Sequence, residues 1–356
     1  MPYRLGLVFL SVLPALFAQI PADRQETLER IAMAAMQQAR IPALSVSVSI
    51  GDGPSWNAAW GFADLENFVP ARPETVFRLG SIAKPITAVA VMQLVEEGKL
   101  DLDAEVQRYV PSFPRKKWPI TLRALLSHQA GIRNYKGNEF NSTRPYSSVT
   151  EALAIFSGAD LLHEPGTRYA YTSYGFNLAG AAAEAAGGLP YSELIQRRII
   201  GPSGAAALRI DDLHAIVPYR ARGYRKRPDG SHENCDLADT SNKLPGGGWA
   251  GSAPDVVRFA RALMDGRLLK QGTMNQMWTL QPLKDGTPTG YALGWSVVRK
   301  DGRLIASHSG NQQGIRSHLI VVPEKRIAIA VLTNLEDSGA PEIGQLMLDE
   351  LLGDKQ

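Results

Sequence analysis

A chain of 356 residues that is 44% hydrophobic and 21% charged has enough apolar material for a large core, which excludes global disorder. The net charge of +3 is small for this length, so no chain-wide field argues for a nucleic-acid partner; small molecules or peptides are the expected partners. Cys235 is the only cysteine, which rules out an internal disulfide and leaves packing to hold the fold.

The chain opens on Met1-Pro2-Tyr3-Arg4, followed by an uncharged apolar run from Leu5 to Ala18. This is the layout of a secretory signal peptide: a membrane span needs about 20 apolar residues, and the polar stretch Pro21 to Arg30 follows directly. Residues 1–18 are therefore expected to be removed, leaving an exported (periplasmic or extracellular) chain of residues 19–356, with an uncleaved anchor as the alternative. No linker, low-complexity tract or fixed-period repeat divides that remainder, so one catalytic unit is expected.

After a helical stretch around Arg24 to Arg40, serines alternate with valine and leucine from Ala43 to Ile50, the period of two that marks a strand. A turn at Gly51-Asp52-Gly53 and the run Trp56 to Phe62 complete a hairpin. Near the other end, Gly294 to Val298, Leu304 to His308, Ser317 to Val322 and Ile327 to Thr333 read as four successive strands, and an amphipathic helix covers Pro341 to Leu352. The middle, about residues 81–280, reads as mainly helical, with stops at Gly98, Gly131, Gly187-Gly188 and Gly266. Within it, Ser252-Ala253-Pro254-Asp255 has the form of a capping box. The expected class is α+β: an antiparallel sheet from both chain ends (about 24–80 and 281–356), flanked by helices, around a long helical insertion.

The segment Arg78-Leu79-Gly80-Ser81-Ile82-Ala83-Lys84-Pro85 leads from a glycine turn into an apolar helix running to about Glu97. Three residues apart, Ser81 and Lys84 share one helical face. A serine hydroxyl needs a base to become a nucleophile, and a lysine serves only where burial or a nearby cation lowers its pKa. Taken alone, the pattern also describes an N-cap serine followed by a solvated lysine.

Two further segments follow in order. Tyr171-Thr172-Ser173 comes after Glu164-Pro165-Gly166-Thr167-Arg168 and opens the apolar helix Gly175 to Ala186, and His308-Ser309-Gly310-Asn311 ends an expected strand. Together with Ser81 and Lys84 they resemble the three motifs of the serine β-lactamase and D-alanyl-D-alanine peptidase superfamily. The likeness extends to Leu125-Leu126-Ser127-His128-Gln129-Ala130-Gly131 and to Gly247-Gly248, which are similar to class C β-lactamases and related esterases. Ser127 to Tyr135 and Tyr171 to Phe176 most resemble the branch that contains the mitochondrial β-lactamase-like serine protease.

The resemblance implies that Ser81 is the nucleophile and that Lys84 activates it. It also implies that Tyr171 delivers a proton to the leaving group and that the N–H groups of Ser81 and Asn311 form an oxyanion hole. Ser173, Ser309 and Gly310 would face substrate, and His308 would donate one hydrogen bond toward it. Two departures stand out: Ser173 replaces the usual asparagine, and His308 replaces a lysine that gives many relatives a permanent charge. The implied activity is hydrolysis of esters or peptide amides through an acyl-enzyme. Alternatives are a true β-lactamase or D,D-carboxypeptidase, or a silent scaffold that binds cell wall.

Other candidates have plainer readings. His128 is expected to support a helix-to-loop turn, and Tyr169, Tyr171 and Tyr174 lie close enough in sequence for any of them to be core. His163, His214, His232 and His318 lack metal-ligand spacing, so neither metal nor cofactor is expected. Cys235 reads as a small buried hydrophobe. The run Tyr219 to Arg227 mixes arginine with tyrosine as an RNA-binding segment does, but reads better as a solvated hairpin.

Overall fold

The structure, a computed structural model, describes residues 20–353; the expected signal segment 1–18 lies outside the described residues. Both chain ends meet in one seven-stranded antiparallel sheet. Its order is Val69–Pro70, Trp56–Asp64, Ala43–Ser49, Ile327–Thr333, Ile315–Val322, Arg303–Gln312 and Ser296–Lys300. The junction between the ends is the pairing of Ala43–Ser49 with Ile327–Thr333, in the register Val46 opposite Val331.

Alternation within the first strand sorts its side chains to two covered faces. Leu44, Val46 and Val48 join Ile329, Val331, Leu28 and Met347 beneath the terminal helices Ala22–Ala39 and Ala340–Leu352. On the opposite face Ser45, Ser47 and Ser49 are buried, on the side that carries Ala328, Ala330 and Leu332. Small side chains there let the helix Ala253–Met264 lie close against the sheet. That helix begins as expected: the Ser252 hydroxyl accepts from the Asp255 N–H at 3.3 Å, with Pro254 in the first turn.

The middle of the chain is less helical than its sequence suggested. Helices at Ala83–Glu96, Ser173–Gly187 and Ala253–Met264 are separated by short turns and a long irregular run over residues 127–147. It also contains a small sheet of Phe77–Arg78, Trp249–Gly251 and Arg209–Ile210. Strands of two or three residues are too short to show a period of two, which is why they do not stand out in the sequence. Tyr224–Lys226 and His232–Asn234 form the expected hairpin. Its arginines are paired: Arg225 with Glu233 and Asp236, and Arg227 with Glu233. Among the described residues no helix is long and apolar enough to cross a membrane.

Candidate active site

The short strand Phe77–Arg78 delivers the chain to a single 3-10 turn, Gly80–Ile82, and only then does the α-helix Ala83–Glu96 begin. Ser81 therefore sits on the turn before the helix rather than inside its first turn. Lys84 is the second helical residue, and Pro85 the third, where its missing N–H breaks no helical bond. Gly80 has φ +52°, and a methyl group on it would lie 2.9 Å from the Asn311 backbone nitrogen. Close approach thus brings the Gly80 backbone, next to Ser81, against that of Asn311.

Lys84 is fully buried and is gripped by three oxygens: Ser81 Oγ at 2.9 Å, Ser173 Oγ at 3.1 Å and the Gly246 carbonyl at 2.7 Å. It is not a solvated lysine, so the plain capping reading of this motif fails on burial. Burial, followed by the charge of Lys243, holds its amine well below the ordinary lysine range. Once neutral, the amine has a single lone pair. Gly246 O can only accept, so that lone pair takes a hydroxyl proton from Ser81 or Ser173.

Exposure separates Tyr174 from Tyr169 and Tyr171, and the contact with Ser81 singles out Tyr171. Tyr174 is core, 0% exposed, whereas Tyr171 is 37% exposed and hydrogen-bonds the Ser81 hydroxyl. Desolvation raises the Tyr171 phenol above its ordinary value, with the Ser81 hydrogen bond opposing, so it stays protonated. The Lys84 nitrogen lies 4.7 Å from the Tyr171 ring centre. His128 is buried with φ +59°; its carbonyl accepts from the Ala170 N–H and its Nδ1 from the Thr172 N–H. It brackets Tyr171 from both sides, matching the turn-supporting role expected of it. Ser173 is held in turn by Asn134, whose Oδ1 accepts the Ser173 N–H at 3.2 Å, and by the Tyr135 hydroxyl.

The last motif lies within the strand Arg303–Gln312 rather than at its end, and its residues alternate between faces. His308 is buried beside Tyr171, with ring centres 6.3 Å apart. Its Nδ1 is 2.8 Å from the Ser309 carbonyl, which can only accept, so that nitrogen holds the proton; Nε2 accepts from the Tyr291 hydroxyl at 2.9 Å. Burial and then Lys84 lower its pKa to about 3, against the hydrogen bond to Ser309. The expected donation toward substrate is therefore absent from this arrangement: the one ring proton is used within the protein. The Ser309 hydroxyl is likewise bonded to His318 Nδ1, at 2.9 Å on the neighbouring strand. Gly310 is required for approach, because a methyl group there would lie 2.0 Å from the Leu79 carbonyl and 2.1 Å from Ser317 Oγ.

Sequence reading missed four contributors: Gly246, Tyr135, Tyr291 and Lys243. Gly246 adjoins the noted pair Gly247-Gly248, a signal that was present. Tyr135 closes the segment Ser127 to Tyr135, so its place was marked although its role was not; Tyr291 and Lys243 act through space, and no local pattern marks them.

Comparison with known proteins identifies the family and the fold. The Beta-lactamase family model matches residues 28–353. The chain is 28% identical to the human (Homo sapiens) "Serine beta-lactamase-like protein LACTB, mitochondrial", over 87% of this chain and 73% of that protein. Among solved structures it is similar to the octameric penicillin-binding protein homologue from Pyrococcus abyssi: TM-score 0.80, 25% identity, covering 92% of this chain and 77% of the other. It shares the fold of the D-amino acid amidase from Ochrobactrum anthropi, with TM-score 0.81 and 22% identity over 94% of this chain and all (100%) of the amidase. With a family match spanning nearly the whole described chain, the protein belongs to the Beta-lactamase family, and so to the hydrolases of the serine β-lactamase and penicillin-binding-protein type.

Proposed function

We propose that the protein hydrolyses esters or peptide amides through an acyl-enzyme on Ser81. The observation that carries this reading is the 2.9 Å contact between Ser81 Oγ and a wholly buried Lys84 nitrogen. Neutral Lys84 takes the Ser81 proton as Oγ attacks the carbonyl carbon, and the N–H groups of Ser81 and Asn311 receive the developing oxyanion. Collapse expels the alcohol or amine, which takes its proton from the Tyr171 hydroxyl; the proton held by Lys84 restores the phenol. Water then cleaves the acyl-enzyme by the same steps in reverse. The names of similar proteins, a serine β-lactamase-like protein and a penicillin-binding protein homologue, support this chemistry.

Neutral His308 shapes the substrate preference. It cannot anchor a substrate carboxylate by charge, and it offers no free ring N–H. Short-chain p-nitrophenyl esters are therefore expected to turn over well at neutral pH, and penicillins poorly. His308→Lys should improve carboxylate-bearing substrates relative to neutral esters, mainly through KM. Values of kcat/KM for both classes in wild type and variant test this; efficient native penicillin hydrolysis, or unchanged selectivity, rules it out. Failure of wild type to react with a fluorophosphonate probe would instead favour a silent scaffold.

Export belongs to the same proposal and rests on the uncharged run Leu5 to Ala18. Intact-mass measurement of the natural protein should find a mature chain starting near Gln19, outside the cytoplasm. A cytoplasmic chain that retains the run overturns it.

A further inference from the structure

We propose that Lys243 supplies a positive charge beside this site, acting as a positioning residue that keeps the Lys84 amine free to accept the Ser81 proton; this rests on the hydrolase reading above. Lys243 is fully buried at the end of the 3-10 turn Ser241–Lys243, directly before the turn Leu244–Gly247. That second turn carries the Gly246 carbonyl that holds Lys84, so the two lysines flank one short piece of backbone. The Lys243 nitrogen donates to the Phe140 carbonyl at 2.7 Å and lies 4.2 Å from the Phe140 ring centre and 5.3 Å from that of Tyr135. Tyr135 in turn bonds Ser173, the other hydroxyl on Lys84.

Among the described residues no carboxylate pairs with Lys243. Asp211 is taken by Arg78 at 2.8 Å, and Asp239 accepts from the Ser241 N–H at 2.9 Å. Glu139 is bound to Arg133 at 2.7 Å. A buried ammonium without an acid partner is costly to keep, and a packing role alone would be served better by an apolar side chain. What distinguishes a lysine here is its charge.

The groups facing Lys84 make that charge the relevant one. His128 and His308, which look onto it from the other elements, are both held neutral by burial, and Tyr171 stays protonated. Lys243 is the remaining cation, and is itself lowered to about 7 by burial and then Arg78, with Asp211 and Asp239 opposing. The strand position where many relatives carry lysine is occupied here by His308, and Lys243, charged below about pH 7, supplies a positive charge from beside the Gly246 turn instead. A proton on Lys84 would place two like charges on either side of the Gly246 turn, which favours the free amine.

The test is the rate of fluorophosphonate labelling of Ser81 against pH, in the wild-type mature protein, Lys243→Met and Lys243→Arg. Removing the charge should raise the proton affinity of Lys84, so Lys243→Met should move the acid limb up by about one pH unit. Labelling below the limb would be about tenfold slower, with the alkaline plateau near that of wild type. Lys243→Arg keeps the charge and should leave the limb where it is. If Lys243→Met does not fold, Lys243→Gln, which retains a donor for the Phe140 carbonyl, carries the same expectation. An unmoved limb with a lowered plateau would mean that Lys243 only packs, and would overturn the proposal, as would an equal shift in Lys243→Arg. Wild type that never labels at Ser81 sinks the hydrolase reading and this inference together, whereas labelled wild type with unshifted variants sinks this inference alone.

Discussion

Ser81→Ala is expected to remove fluorophosphonate labelling and to lower ester turnover by about four to six orders of magnitude. The Ser81 hydroxyl lies against both Lys84 and Tyr171, and alanine removes the attacking oxygen together with the proton that Lys84 would accept from it. Lys84→Ala should cost less, about 10²- to 10⁴-fold, because the Tyr171 contact and the oxyanion donors survive. The Lys84 variant also separates chemistry from stability. Truncation removes a buried amine whose three oxygen contacts are then left to each other, yet the helix Ala83–Glu96 around it is buried and mainly apolar from Ala83 to Met92. Circular dichroism of Lys84→Ala should match wild type while turnover collapses. Full labelling of the Ser81 variant would show that the nucleophile is elsewhere.

Gly310→Ala is expected to damage both fold and rate although it adds one methyl group. That group would meet the Leu79 carbonyl at 2.0 Å and Ser317 Oγ at 2.1 Å, and these two atoms are themselves bonded to each other at 2.8 Å. Neither is the free end of a flexible side chain. The strand Arg303–Gln312 must therefore retreat from the turn that carries Ser81, at a stability cost of about 3 kcal/mol. Its retreat also separates the Asn311 N–H from Ser81, and a shift of about 1 Å at such a site costs on the order of 100-fold in rate. Thermal melting and kcat on one preparation check both effects. A variant with wild-type stability and turnover would show that the strand and the turn are not rigidly coupled.

The residues of the candidate site were legible to different degrees, and the reason is distance along the chain. Ser81 and Lys84 are separated by one helical turn, so their meeting follows from helix geometry alone. Tyr171 could be chosen from its neighbours only by resemblance; the structure separates it from Tyr174 by exposure. Ser309 and His308 illustrate the opposite limit. A motif places them beside each other, but strand alternation sends consecutive side chains to opposite faces, where His318 takes one and Tyr291 the other.

By itself, the sequence determined the class of the fold, the strands Ala43–Ser49 and Ile327–Thr333, the meeting of Ser81 with Lys84 and the glycine turn before them. Each of these is written in periods or spacings of a few residues, which local backbone geometry converts directly into structure. Only the tertiary structure decided that Lys84 is buried, that His308 spends its proton on its own strand, and that Lys243, with no carboxylate partner among the described residues, stands beside the Gly246 turn. Those properties depend on which distant segments displace water from a side chain, and desolvation is set by the whole fold rather than by neighbours in the chain.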